Sequence, residues 1–142
     1  MRFALILLTI GFAAPGRAEL PVAELAAGMH LIRAEVADSF ATRAQGLMHR
    51  RSLEQNAGML FVFDEVMIHC MWMKNTLIPL SVAFLDERGA VINIAEMQPH
   101  SEQSHCAARP ARYALEMNRG WFARRAIGAG FRLRGLERLR RQ

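Results

Sequence analysis

The apolar positions of this chain fall into short runs and alternations, not into long helical stripes. Residues Met29 to Ala37 set Leu31, Arg33, Glu35 and Ala37 against His30, Ile32, Ala34 and Val36, a period of two that suits a strand. Asp38-Ser39 then offers a helix cap. Phe40, Arg43, Ala44 and Leu47 recur at three- and four-residue intervals, which predicts one helical face through about His49, with Gly46 marking close packing or an early end. Gly58 to Phe63 is a compact apolar run ended by Asp64-Glu65, and its aromatics favour a buried strand. His69 to Lys74 predicts a further strand, and Pro79 interrupts. Leu80 to Asp86 and Ala90 to Met97, joined by the turn Asp86-Glu87-Arg88-Gly89, form the clearest hairpin signal in the chain. After a polar loop, Arg112 to Asn118 alternates Tyr113, Leu115 and Met117 against Arg112, Ala114 and Glu116, as a half-buried strand does. Trp121 to Ile127 predicts a short helix and Phe131 to Arg134 a last strand.

Six or seven short strands and two short helices follow, with no long helical crossover of the kind parallel sheets require. The expected fold is mainly β: a single-domain antiparallel β-sandwich or flattened barrel with two short helices. A length of 142 residues at 52% hydrophobic content supports one core and leaves no room for a second domain.

The first eighteen residues differ from the rest. Met1-Arg2 is a positive start, Phe3 to Ala14 is apolar, and Gly16-Arg17-Ala18 ends in small residues suited to a signal peptidase. This reads as a signal peptide cut before Glu19, which places the mature protein in the periplasm or outside the cell. An uncleaved anchor is the alternative, but the apolar run falls short of the roughly 20 residues that a spanning helix needs. Residues 19–28 read as a linker that needs no fixed structure, 29–135 as the β domain and 136–142 as a basic tail.

Removing Arg2 and Arg17 leaves sixteen basic residues against thirteen acidic ones. A charge so mild does not suggest nucleic acid. Arg132, Arg134, Arg138, Arg140 and Arg141 crowd the end, where weak contact with an anionic membrane surface competes with a plainer reading, a solvated frayed terminus. A monomer is expected.

Export gives meaning to the two cysteines. Cys70 and Cys106 match neither a Cys-x-x-Cys redox motif nor a zinc knuckle, and in an oxidising compartment a pair with no competing thiol is expected to form a disulfide.

Several spaced elements resemble one family. Ala41-Thr42-Arg43-Ala44-Gln45-Gly46-Leu47-Met48, Gly58 to Phe63, Trp72-Met73-Lys74-Asn75-Thr76-Leu77-Ile78-Pro79-Leu80, Val82 to Asp86, and Tyr113-Ala114-Leu115-Glu116 with Gly120-Trp121 look like the domain-of-unknown-function 192 family (DUF192), also called uncharacterised protein family 0127. The resemblance covers about residues 29 to 135. It implies a compact, mainly β domain, often exported or membrane-tethered, with no established activity, substrate or cofactor.

The stretch from Cys70 to Leu80 draws the candidate chemistry together. Lys74 is the only lysine against seventeen arginines. In a strand Trp72 and Lys74 share a face and Asn75 takes the other. With Arg43 and Glu116 they would make a platform for a sugar ring or a carboxylated envelope ligand. The plainer alternative has Trp72 in the core, Lys74 paired with Glu116, and Asn75 capping a turn. A copper-type set of His69, Cys70, His105 and Cys106 needs free thiolates, which a disulfide removes. An enzyme acting on an envelope polymer would use Glu116 with His100 or His105 as acid and base. No zinc-protease helix, phosphate-binding glycine loop or serine-nucleophile elbow is present, and no cofactor is expected.

Overall fold

The structure, a computed structural model, describes residues 19–141, with side chains described through residue 139; the expected signal peptide lies outside them. Eight strands dominate: β1 (Val22–Ala27), β2 (His30–Ala37), β3 (Ala57–Met67), β4 (Cys70–Met71), β5 (Leu80–Leu85), β6 (Val91–Met97), β7 (His105–Cys106) and β8 (Ala111–Asn118). Six form one sheet in the order β1-β2-β3-β8-β5-β6, while β4 and β7 pair separately. The mainly β expectation holds.

The sheet is mixed, however, because β2 and β3 pair in parallel. Residues 38–56 make that crossover with a single six-residue helix, α1 (Phe40–Gln45), which satisfies the connection length without a long helix. The sheet is also not laddered into a closed barrel. Residues 128–134 lie against both of its edges, Arg134 exchanging backbone bonds with Ala26 and Val91 pairing with Phe131 and Gly130. The predicted last strand is thus two isolated bridges, at Arg132 and Arg134.

Alternation sorts the side chains into two cores, one on each face. Leu60 of β3, Leu115 and Met117 of β8, and Leu25 and Ile32 of the first hairpin join Trp121, Phe122, Ile127, Leu133 and Leu136 from the C-terminal segment. Met59, Phe61, Phe63, Val82, Phe84 and Ala114 join Leu47, Met73 and Ile78 on the other face. Burying a large apolar side chain contributes about 1.5–3 kcal/mol, so both layers matter to stability. Trp121 is fixed further, since Arg125 stacks 4.1 Å from its ring and Asn56 accepts from its indole nitrogen at 3.1 Å.

Several expected boundaries move. The linker contains β1, whose Ala23, Leu25 and Ala27 point into the core and whose backbone pairs along β2. β3 runs past Asp64-Glu65 to Met67, with a register irregularity after Val62. The strand expected from His69 to Lys74 shortens to Cys70–Met71, because Thr76 N donates to Met73 O at 3.1 Å and turns the chain. β8 is buried on both faces instead of one, being an interior strand between β3 and β5. The predicted helix from Trp121 to Ile127 is a single 3₁₀ turn, Ala123–Arg125. The basic tail is docked as a 3₁₀ helix, Leu136–Arg141, with Leu136 buried, so a frayed terminus is not what this segment forms.

Candidate functional site

α1 begins where Ser39 Oγ accepts from Thr42 N at 3.1 Å and Thr42 Oγ1 accepts from Ser39 N at 3.0 Å, a capping box built from two hydroxyls. It ends at Gly46, whose φ of 47° is in the left-handed region and whose missing Cβ would lie 3.2 Å from Phe61 Cζ. The helix buries none of its own residues, so the expected apolar face does not form, and Phe40 is 84% exposed. Only Leu47, beyond the helix, reaches the core. The helix flanks a cavity instead of sealing the sheet.

That cavity, about 480 Å³, lies between α1 with residues 46–48, the face of β3, and the segment from Met67 to Thr76. Such a volume is in the range of small-molecule sites. Phe40, Leu47, Met48, Phe61, Phe63, Met67 and Met71 supply its apolar walls, Arg43, Gln45, Asp64, Glu65, His69 and Thr76 its polar ones, and Trp72, 46% exposed, stands at its edge.

Glu116 lines the same cavity and is 3% exposed. In the sheet it pairs with Met59 on one side and Val82 on the other, so β8 carries a carboxyl into the middle of an apolar face. Its carboxyl makes no hydrogen bond or ion pair among the described residues. Burial pushes it up from 4.5 to about 8, because a desolvated carboxylate is disfavoured and nothing cationic offsets this. At neutral pH it is therefore a protonated acid, able to donate one hydrogen bond and accept others.

The other candidates divide. Arg43 lines the cavity, but its guanidinium is engaged at the wall: Nη1 donates to Asp38 O at 2.7 Å and Val62 O at 2.9 Å, and Nη2 to Asp64 Oδ2 at 2.8 Å. Lys74 is exposed, with Nζ 5.2 Å from the centre of the Trp72 ring. The two side chains do share a side, through a turn and not through strand alternation. Of the plainer alternative, a core Trp72 and a Lys74–carboxylate pair are not found among the described residues, whereas Asn75 does stand in the turn closed by Thr76 N and Met73 O. Asn75 is exposed at φ 52°, with its carbonyl accepting from His49 N at 2.9 Å, and it does not line the cavity.

Cys70 and Cys106 form a disulfide. They are directly opposed in the β4–β7 pair with Cα atoms 4.0 Å apart, closer than the roughly 4.5 Å usual for such pairs. This bridge fastens the segment covering the cavity to the loop before β8. Both thiolates of the copper-type set are consumed by it. His69 stacks on Phe63 with ring centroids 3.7 Å apart and donates from Nε2 to Glu65 O at 2.8 Å, while His105 is half-buried in β7. Neither His100 nor His105 lines the cavity that holds Glu116, so the expected acid–base pair is not assembled there; the histidine in that cavity is His69.

Sequence reasoning missed Thr76, Phe61, Phe63 and Phe40 as site residues. Thr76 is buried, with Oγ1 donating to Lys74 O at 3.1 Å. The Phe61 and Phe63 aromatics were legible as a strand but not as a wall, since nothing in the run indicates which face stays open.

A family model named DUF192, Uncharacterized ACR, matches residues 23–135. No curated protein matches the chain. Among solved structures, one described as a candidate transcription regulator from Sinorhizobium meliloti 1021 is 35% identical, at a TM-score of 0.80, covering 85% of this chain and 98% of that one. A protein of unknown function from Novosphingobium aromaticivorans DSM 12444 is 34% identical, at a TM-score of 0.78, covering 87% of this chain and 94% of that one.

Proposed function

The chain belongs to the DUF192 family, and from that premise we propose that it is an exported, non-enzymatic binding protein of the cell envelope that holds a small, largely apolar ligand in the Glu116 cavity. The observation that carries this reading is a carboxyl with no hydrogen bond or ion pair among the described residues, at the wall of a cavity of about 480 Å³ that mixes apolar and polar side chains. The Glu116 carboxyl faces the cavity, so a ligand there gains a directional hydrogen bond worth about 0.5–1.5 kcal/mol net, more if the contact is charged.

The surroundings favour binding over surface display. Phe40, Met67 and Trp72 line the cavity and are all exposed, so the apolar walls continue out to solvent and give a ligand an entry path. Lys74 over Trp72 fixes the aromatic edge and is placed to meet a polar group left outside. The envelope location rests on the leader-like residues 1–18 and on the disulfide, which oxidising compartments sustain.

Nile red, an apolar dye whose emission rises on leaving water, tests the reading. The mature protein should enhance its emission saturably, and Ala44→Trp, which fills the cavity from α1, should abolish the effect without unfolding the protein. Enhancement that survives Ala44→Trp, or none in the wild type, would count against a ligand cavity.

A further inference from the structure

We propose that the ligand of this cavity is an organic cation, a primary ammonium on an apolar body, which pairs with Glu116. The inference rests on the binding reading above and narrows it to a chemical class.

Charge is the first argument. Besides Glu116, the charged and titratable groups lining the cavity are Arg43, Asp64, Glu65 and His69. Arg43 is committed to Asp64 and to two carbonyl oxygens, which leaves Glu65 and Glu116 without a lining cation, and His69 spends its Nε2 proton on the Glu65 carbonyl. With Glu116 protonated, the exposed Glu65 is the lining carboxylate that Arg43 leaves unpaired; once Glu116 ionises there are two, and a cation is then favoured over an anion. The walls give the second argument. The aromatic rings of Phe40, Phe61, Phe63 and Trp72 and the thioethers of Met48 and Met71 accept a cation on their faces or sulfur atoms while still favouring an alkyl or aryl body. The exposed end already holds one ammonium against an aromatic face, Lys74 over Trp72.

Pairing carries a proton balance. The free ligand is an ammonium, since an alkyl amine titrates near the lysine value of about 10.4. The empty site is a protonated acid at neutral pH. On binding, the acid loses its proton to the buffer and the carboxylate accepts hydrogen bonds from the ammonium, a charge-assisted contact stronger than a neutral one. Most of one proton should therefore be released per ligand at pH 7, with the release falling as pH rises above about 8 and the carboxyl in the empty site ionises by itself.

The test is calorimetric titration of the mature wild-type protein with octylamine, octanol and octanoate, each in two buffers of different ionisation enthalpy. Octylamine is expected to bind about tenfold or more tighter than either analogue, with release of close to one proton at pH 7. Glu116→Gln should remove both the preference and the release. If octanol binds as tightly as octylamine and no proton is released, the cationic class is wrong while the cavity stands. If Nile red binds and octylamine does not, the class is likewise overturned. Should Glu116→Gln fail to fold, the proton count on the wild type decides alone.

Discussion

Glu116 stands directly opposite Met59 in the β3–β8 ladder, a carboxyl paired across the strands with a thioether and with no basic partner. The folded state therefore keeps a proton that the unfolded chain has already released. With the carboxyl raised from 4.5 to about 8, stability contributed by the protonated form is complete below about pH 4.5 and is lost as pH rises toward 8. The loss is on the order of 4 kcal/mol across that window. Thermal melts of the wild type should fall between pH 5 and pH 8, and those of Glu116→Gln should lack this component. Parallel pH profiles for the two proteins would show that Glu116 is not buried as a neutral acid.

Arg43 holds the cavity wall by bonding Asp38 O, Val62 O and Asp64. Arg43→Ala should cost about 1–3 kcal/mol in urea denaturation, because the part-buried Val62 carbonyl and the exposed Asp38 carbonyl lose their donor. Arg43→Lys should recover little, since one ammonium cannot span the three acceptors that the guanidinium fork reaches. Asp64, largely exposed, should matter less, with Asp64→Asn costing under about 1 kcal/mol.

The two tryptophans should separate binding from stability. Trp72 is half exposed at the cavity edge, and Trp72→Ala should change stability by under about 1 kcal/mol while weakening Nile red binding. Trp121 is fully buried, and Trp121→Ala should cost about 3–5 kcal/mol. Unfolding curves and dye titrations on both variants check the division.

The Cys70–Cys106 bridge closes a loop spanning 36 residues in sequence. Its removal in a Cys70→Ser, Cys106→Ser variant should cost about 3–4 kcal/mol in the chain-entropy view. The same change should loosen the cover of the cavity. Protein isolated from its native host without reductant should show no thiol that alkylates before reduction and two afterwards, by mass spectrometry; two labelled without reductant would mean that the bridge does not form in the cell.

The strands were legible where period two is carried by large side chains, as in His30 to Ala37, or where a turn is written in its own residues. Asp86 makes that hairpin by accepting from the backbone nitrogens of Arg88 and Ala90, both at 2.9 Å. β1 escaped notice because its inward residues are mostly alanines, which give little apolar contrast. The cavity was only partly legible. Alternation placed Glu116 beside Arg112 and Ala114 on what looked like a solvent face, but that face is set by Met59 and Val82 on neighbouring strands and by a cover drawn from residues 40–48 and 67–76. Trp72 and Arg43 line the cavity that holds Glu116. Asn75 does not, since it stands exposed in the turn between Met73 and Thr76.

Methionine-methyl NMR offers the most direct test that ligand sits where Glu116 lies. Met48, Met67 and Met71 line the cavity, whereas Met29 is exposed in the β1–β2 turn and Met117 belongs to the opposite core. Titration with octylamine or Nile red should shift the methyl signals of Met48, Met67 and Met71 together with the Trp72 indole, and leave Met29 and Met117 in place. Shifts confined to Met29 or Met117, or no shift at ligand concentrations that saturate the dye signal, would contradict the cavity as the binding site.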